Sequence, residues 1–478
     1  MCYDRQDEMI KFGCHALLRK GGGTVKRKFG CLAVGLLLAL ILSGCRMSLF
    51  KSAEDLYAQP QLPEGYENLN TTIQTIVNAG DVEQAAPLSG SNTSAVQLLD
   101  LDGDGTEETA VAFFRSSSAD DPKPLKIYLL RTGNDGAYNI AYKLEGEGTS
   151  VNSIAYQDLT GDGNKEVVVS WQLTTRANVL SVYELGPMGA VELAHTTYNE
   201  SYVLADLNRD GRRELIVIQR DDTGSERSQA SCYTYEDGML VLTSSANLSE
   251  GVLDVTSVRT GVLAGHTPAI YVTSKRESGQ VTDIFAYEDG GLVNVTLNPD
   301  SGVSNDTLRD YEAVGITDIN NDGVLEVPVA QMLPALGANS AAHWVIYWRQ
   351  FDRNGSAAVA CITYHAVNDG WYIVLPSDWA GRISAERNTE ESYRGEWSVT
   401  FYHWDDDGVA APFMTVFRLT GNNREVRARK DGREPILSTN TAAFAVKFMK
   451  EGWDCGLSTD RLKERFSLIT TEWSNDDT

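Results

Sequence analysis

An acidic nine-residue segment recurs four times, and this repetition constrains the possible fold more than any other feature of the sequence. The copies read DLDGDGTEE, DLTGDGNKE, DLNRDGRRE and DINNDGVLE, and they begin at Asp100, Asp158, Asp206 and Asp318. All share Asp at position 1, an oxygen-bearing side chain at 3, Asp-Gly at 5–6 and Glu at 9, and an apolar run follows each. Their first positions are spaced 58, 48 and 112 residues apart, so one copy is missing from the longest interval. The segment TGVLAGHTP at 260–268 keeps only the glycine at position 6, Gly265, and is predicted to be a degenerate fifth copy.

A second marker supports the same period. Tyr-Glu pairs occur at residues 183, 235 and 287, which are 52 residues apart. Two of the pairs continue as Asp237-Gly238 and Asp289-Gly290, the dipeptide that is typical of a tight β-hairpin. Each period also contains about four strand-like runs, and four short strands in a period of this length indicate a β-propeller blade.

With these motifs in place, the sequence resembles the FG-GAP/VCBS family of calcium-loop propellers, to which the heads of integrin α-subunits belong. The resemblance implies an all-β fold, a β-propeller of about 5–7 four-stranded blades, with a less regular C-terminal segment that contains a helix. The repeats are predicted to occupy residues 94–375, and residues 376–478 to form a closing blade or a small α+β domain. In a closed propeller, a strand at 94–101 would pair into the last blade.

The acidic segments themselves are predicted to bind Ca²⁺. Calcium prefers six to eight oxygen ligands, and a glycine at position 6 allows the backbone to turn around the ion. The expected ligands are Asp100, Asp102, Asp104 and Glu108; Asp158, Thr160, Asp162 and Glu166; Asp206, Asn208, Asp210 and Glu214; and Asp318, Asn320, Asp322 and Glu326. An EF-hand is excluded because position 12 is always valine and strands follow rather than helices. The plain alternative is an Asp-Gly turn without an ion, which is how HWDDDGVAA at 403–411 is interpreted.

The N-terminus predicts export. Three basic residues at 26–28 precede the apolar stretch CLAVGLLLALIL at 31–42 and then Ser43-Gly44-Cys45. This order is typical of a secretory signal, and its ending resembles a bacterial lipobox. The resemblance implies that residues 1–44 are removed and that Cys45 receives a lipid, which anchors the protein at the outer face of the cytoplasmic membrane or at the cell surface. The alternatives are an uncleaved membrane anchor and translation from Val25. Residues 45–93 are predicted to be a tether with one helix at 69–78.

The net charge limits the kinds of partner that the protein can bind, and the cysteine content bears on disulfide bonding. Residues 1–44 carry 7 basic and 3 acidic side chains, which leaves 34 and 63 in the remainder and a net charge of −29 there. Such a surface repels nucleic acid, so a nucleic-acid partner is not expected. Only three cysteines follow Cys45, too few and too scattered for a disulfide framework.

Catalytic signatures such as HExxH, GxSxG and the Walker pattern are not found in the sequence. The expected role is therefore binding or scaffolding for a protein or a glycan. An envelope hydrolase acting on polysaccharide and a purely structural lipoprotein stay open as alternatives. Eight of the nine tryptophans lie at or beyond residue 344. They are expected to pack a C-terminal core, and NDGWYIVLPSDW at 368–379 is the segment in which exposed tryptophans are most expected.

Overall fold

The computed structural model describes residues 64–133, 136–223, 227–310, 312–338, 340–404, 410–450 and 453–469, with side chains from residue 67 onward. The chain from Gly65 onward forms one compact unit. Its described residues are arranged in six antiparallel sheets that follow one another along the sequence. The predicted signal segment, Cys45 and the acidic turn at 405–409 lie outside the described residues. No helix among those residues is long and apolar enough to cross a membrane.

Sheets 1 to 3 are consecutive antiparallel meanders. Sheet 1 contains β1 (Val82–Gln84), β2 (Val96–Leu99), β3 (Thr109–Ser116), β4 (Leu125–Thr132) and β5 (Tyr138–Gly146). Sheet 2 contains β6 (Ser150–Gln157), β7 (Glu166–Thr174), β8 (Ala177–Gly186) and β9 (Gly189–Tyr198). Sheet 3 contains β10 (Ser201–Ala205), β11 (Glu214–Gln219), β12 (Gln229–Glu236) and β13 (Met239–Asn247).

Sheets 4 to 6 continue the series with more irregular ends. Sheet 4 contains β14 (Asp254–Val262), β15 (Pro268–Lys275), β16 (Gln280–Glu288) and β17 (Gly291–Asn294). Sheet 5 contains β18 (Val327–Met332), β19 (Trp344–Phe351), β20 (Ala357–Ala366), β21 (Trp371–Val374) and the C-terminal β27 (Phe466–Leu468). Sheet 6 contains β22 (Ile383–Asn388), β23 (Glu396–Trp404), β24 (Ala410–Thr420), β25 (Glu434–Ser438) and β26 (Ala442–Phe448). The fold is therefore an all-β propeller, with six blade-like sheets among the described residues.

Alternation of side chains along the second long strand of each blade explains how the blades stack. In β7, Val167 and Val169 pack toward sheet 1, whereas Val168 packs toward sheet 3. In β11, Leu215 packs toward sheet 2 and Ile216 toward sheet 4. Successive residues of a strand point to opposite faces, so a strand buried on both faces appears as an unbroken apolar run. This accounts for the runs that follow the acidic segments.

Two turns fix the register of blades 3 and 4. Asp237-Gly238 joins β12 to β13, and Asp289-Gly290 joins β16 to β17. All four residues have positive φ, from 48° to 87°, which is the backbone of the two-residue turns that match strand twist. The Tyr-Glu pairs consequently lie on equivalent strands of successive blades, β8, β12 and β16.

Residues before position 94 also pack on the first sheet. Helix α1 spans Glu64–Gly80, longer than the predicted 69–78, and buries Leu69 and Ile73 against Ala112 and Phe114 of β3. Strand β1 also pairs with β3. This part of the predicted tether therefore belongs to the folded unit, because its apolar helix face covers the side of sheet 1 that is turned away from sheet 2.

The strand predicted at 94–101 to complete the last blade pairs elsewhere. Strand β2 pairs with β3 of the first blade, from Val96 opposite Ala112 to Leu99 opposite Thr109. The acidic loop between β2 and β3 is short, and a short connection favours pairing with the next strand in sequence. That local hairpin is formed in place of the predicted long-range pairing.

The C-terminal region forms blade 6 and also completes blade 5. Helix α2 (Arg424–Arg427) covers Leu419 and Ala443 of sheet 6 through Ala428, and helix α3 (Thr459–Arg465) leads into β27 at the edge of sheet 5. A single apolar cluster joins sheets 5 and 6. The expectation of exposed tryptophans at 368–379 is wrong, because Trp371 and Trp379 are 1% and 0% exposed within that cluster.

Candidate functional site

The acidic loops occupy the same position in each blade that contains one, immediately before its second long strand. Three of them connect the first long-strand pair of their blades, β2 to β3, β6 to β7 and β10 to β11. The fourth precedes β18, and a bridge between Thr317 and Glu326 stands in for the missing first strand. The degenerate copy connects β14 to β15 in blade 4. The 48–58-residue period therefore corresponds to one structural position repeated in five consecutive blades.

The carboxylate at position 1 organises each loop by accepting backbone N–H groups. Asp100 accepts from Gly103 at 2.7 Å and from Gly105 at 3.0 Å, and Asp158 accepts from Gly161 and Gly163 at the same distances. The carboxylates at position 5 likewise accept from the residue at position 7. Burial alone would raise the pKa of Asp100, but these N–H groups and Lys165 hold it below its usual value. The chain thus coils around the carboxylates rather than away from them.

The glutamate at position 9 closes the loop from beneath. Glu166, Glu214 and Glu326 are at most 2% exposed, and each accepts the N–H of the residue at position 2 at 2.7–2.9 Å. Burial, assisted by the neighbouring aspartates, raises the pKa of Glu166 and of Glu326 to about 7, and it raises the pKa of Glu214 as well. These carboxylates are costly to ionise without a nearby cation.

Three loops gather carboxylate oxygens closely enough to share an ion. In the loops that begin at Asp100, Asp206 and Asp318, one oxygen from each acidic residue lies within 4.8 Å of the others. These groups contain Asp100, Asp102, Asp104 and Glu108; Asp206, Asp210 and Glu214; and Asp318, Asp322 and Glu326. Among the described residues, Asp158, Asp162 and Glu166 do not form such a group, and Thr160 replaces a carboxylate in that loop. The first loop therefore offers the most charged set.

Two oxygens in these groups have no hydrogen-bond donor although they are buried. They are Glu108 Oε2 and Asp206 Oδ1. A buried polar atom without a partner is destabilising, and carboxylate oxygens that converge on a point are suited to a hard cation. The donor set at these loops therefore fits calcium.

Gln350 of β19 completes the environment of the fourth loop, although no sequence motif indicates it. Its side-chain Nε2 donates to Asp322 and to Glu326, both at 2.7 Å. Gln350 lies 24 residues beyond the loop, and only the pairing of β18 with β19 brings it there. Its side-chain amide therefore links the two carboxylates.

The loops of neighbouring blades also contact one another. Lys165 at position 8 of the second loop donates from its backbone N–H to Leu101 O at 2.8 Å and from Nζ to Asp100 O at 2.7 Å. Arg209 of the third loop donates to the backbone oxygen of His266 in the degenerate copy. Burial would raise the pKa of Asp322, but hydrogen bonds from the N–H of Val324 and from the side chains of Gln350 and Asn320, with a smaller contribution from His266 of the degenerate copy, hold it below its usual value. Because the side chain of Arg212 in the third loop also lies beside Gly161 of the second, the five loops form a continuous row.

A separate cleft of about 250 Å³ between sheets 1 and 2 bears on the hydrolase alternative. Glu145, Glu192 and His195 line it. Ser181 Oγ and Glu192 Oε1 both approach the same ring nitrogen of His195, Nδ1, at 3.4 and 3.1 Å. A catalytic triad places nucleophile and acid at opposite ring nitrogens, so this geometry is not one. Hydrogen bonds from Lys126 and Lys143 lower the pKa of Glu145, whereas a general acid needs a raised one.

The fold assignment rests on the sheets of this chain rather than on comparison with known proteins. No protein-family model matches the chain, and no curated protein does. Similar solved structures include a putative 6-phosphogluconolactonase from Bacteroides uniformis (13% identity, 68% of this chain and 86% of the other, TM-score 0.28). Others are the rhamnogalacturonan lyase of Bacillus licheniformis (12%, 68% and 74%, TM-score 0.29) and the Dos1 propeller (10%, 78% and 84%, TM-score 0.30). Similarity this weak carries no argument about substrate or activity.

Proposed function

We propose that the protein is an exported lipoprotein of the FG-GAP/VCBS type whose calcium-stabilised propeller is a binding or scaffolding module for a protein or a glycan. The row of acidic loops at one corner of five consecutive blades carries this proposal. Propeller faces are assembled from loops of several blades, and such composite surfaces suit recognition.

Calcium has a structural role in this proposal. Asp, Asn, Thr and Glu oxygens of the acidic loops would hold the ion, which supplies the positive charge that the buried glutamates lack. An ion that binds only the folded state stabilises it by about 2.7 kcal/mol at a hundredfold excess over its Kd. Because extracellular calcium is abundant enough to fill weak sites, the proposed location outside the cytoplasm is consistent with this role.

The anchor part of the proposal depends on Cys45. Attachment of lipid to its thiol would hold the propeller at the outer face of the cytoplasmic membrane or at the cell surface. Replacing Cys45 with Ser should move the protein from the membrane pellet to the soluble fraction, and a radiolabelled fatty acid should label only the wild type. Equal membrane association and no labelling of either form would reject the anchor.

The binding role is tested by retention on cell-envelope fractions. Full-length protein is incubated with purified envelope polysaccharide and, separately, with detergent-extracted envelope proteins, each in calcium and in chelator. Saturable retention on one fraction, weakened by chelator, is the expected result. Release of reducing sugar from the polysaccharide would instead support the hydrolase alternative, and absence of retention on both fractions would contradict a binding module.

A further inference from the structure

A cavity of about 410 Å³ lies among the first strands of blades 2, 3 and 4. Strand β6 contributes Asn152 to Ala155, strand β10 contributes Ser201 to Leu204, and Val258 comes from β14. Every residue of β10 is only partly buried, unlike the wholly buried core of the neighbouring β11. This recess is therefore open to solvent and is distinct from the acidic loops and from the cleft at His195.

The segment between β1 and β2 forms a fixed wall of the cavity. Ser89 to Ser91 line it. Ser89 donates its backbone N–H to Asn152 O at 2.8 Å and its hydroxyl to the same oxygen at 3.0 Å, while Asn92 donates to Ile154 O at 3.2 Å. The open edge of β6 is thus paired by this segment. The cavity is preformed, as small-molecule sites commonly are, and its volume lies within the usual range for them.

Hydroxyl and amide groups dominate the polar lining. Tyr202 and Ser153 share a hydrogen bond of 3.1 Å, and Tyr198 bonds Ser170 at 2.6 Å and Asn152 at 3.4 Å. The two tyrosine rings meet edge to face at 5.8 Å, so their positions are mutually fixed. Neutral hydroxyl groups can both donate and accept, and rings held in this way offer an apolar surface beside them.

The charge of the cavity excludes strongly ionic ligands. Glu200 is the single carboxylate among the residues that line it, and no lysine or arginine is among them. Glu200 is already paired with Arg220 at 2.6 Å and accepts the N–H of Val255 at 3.3 Å. A phosphate or carboxylate ligand would find no cation here, and a cationic ligand would have to compete with Arg220.

We infer that this cavity binds one neutral sugar residue of an envelope glycan. The inference rests on the proposed binding function and makes the ligand a glycan rather than a protein. The hydroxyl groups of Tyr202, Ser153 and Ser201 and the amide of Asn152 would replace water around the sugar hydroxyls, and Ile154 and Val258 would contact its apolar ring face. A site built of hydroxyl and amide groups discriminates ligands by the hydrogen bonds that it can make.

The experiment uses full-length protein in calcium and methyl glycosides of glucose, galactose, mannose, rhamnose and N-acetylglucosamine. Saturation-transfer NMR identifies any glycoside that binds, and titration gives its Kd. Ser201→Trp fills the cavity, Tyr202→Phe removes one hydroxyl and keeps the ring, and Ser245→Trp on the outer strand β13 is the matched control. Circular dichroism melting verifies that each variant is folded.

We expect at least one glycoside to bind with a saturable Kd. Ser201→Trp should weaken it at least tenfold, Tyr202→Phe about three- to tenfold in line with the loss of one hydrogen bond, and Ser245→Trp not at all. Binding of no glycoside, or binding unchanged by Ser201→Trp, overturns the inference. In that case retention on envelope protein or polysaccharide, measured in parallel, shows whether the proposed binding function survives. If Ser201→Trp blocks retention on envelope protein alone, the cavity takes a protein segment and the sugar assignment is wrong.

Discussion

Metal-free protein should lose stability as the pH rises, because its buried loop glutamates must ionise. Glu166 is 1% exposed and its pKa in the folded protein is raised to about 7 by burial, against an ordinary value of 4.5. Between these two values the folded state keeps a proton that the unfolded state has released. Stability therefore falls as the pH rises through this window and levels off above it.

The size of the stability loss follows from how far the pKa of Glu166 is raised in the folded protein. One pKa unit corresponds to 1.36 kcal/mol, so a shift of about 2.5 units gives roughly 3 kcal/mol for the full window and roughly 2.5 kcal/mol between pH 5 and pH 8. Calcium should reduce the corresponding loss at Glu214 and Glu326, because the carboxylates of their loops converge and a divalent cation stabilises the ionised form. Glu326 should contribute a similar amount, since its side chain is equally buried and its pKa is also raised to about 7.

Urea unfolding of metal-free protein at pH 5 and pH 8 measures the effect. Glu166→Gln keeps the shape and the acceptor for the Leu159 N–H but cannot ionise, so it should remove roughly 2.5 kcal/mol of the loss. Glu107→Gln is the matched control, because Glu107 is an exposed acidic residue in an equivalent loop. If Glu166→Gln and the wild type lose the same stability between the two pH values, the buried-carboxylate reasoning is refuted.

Two further substitutions test contacts between neighbouring blades. Asp369→Ala should lower the free energy of unfolding in urea by about 3 kcal/mol, because it leaves Arg387 without its carboxylate partner. Arg387 donates two hydrogen bonds of 2.8 and 2.7 Å to this carboxylate, which is 1% exposed. An unchanged unfolding midpoint would contradict this prediction. Gly146→Ala should lower the free energy of unfolding by about 1–3 kcal/mol, because the new Cβ would lie 2.2 Å from the ring of Trp171. Gly186→Ala is the control and should leave stability nearly unchanged. Equal effects of the two substitutions would show that the contact with Trp171 is relieved without cost.

The repeated architecture could be predicted from the sequence because its signals are local. The spacing of the acidic segments, the Asp-Gly turns and the apolar runs each depend on residues within one blade. The period and the glycine at position 6 together predict the degenerate segment at 260–268, and the β14–β15 hairpin turns there, with Gly265 at a φ of 82°. A turn is determined mainly by its own residues, so it can be predicted from the local sequence.

Features that depend on distant contacts were not predictable in this way. The covering of sheet 1 by α1 and the addition of β27 to sheet 5 each involve a choice among several apolar partners. The tryptophans of 368–379 follow a hairpin signal that suggests exposure, yet Trp379 donates its ring N–H to Cys455 O, 76 residues away, inside the core of blades 5 and 6. Gln350 reaches the fourth loop for the same reason. Periodicity specifies which residues are apolar but not which surface they meet.

Calcium titration by calorimetry, with melting curves recorded in calcium and in chelator, tests most directly whether the acidic loops are ion sites. The expected result is several weak sites and a higher melting temperature with calcium. Replacing Asp100 and Asp104 together with Ala should remove one site while the remaining blades still melt cooperatively. Unchanged ion content and unchanged melting after chelation would show that these loops are turns without a metal, and the proposed structural role of calcium would be wrong.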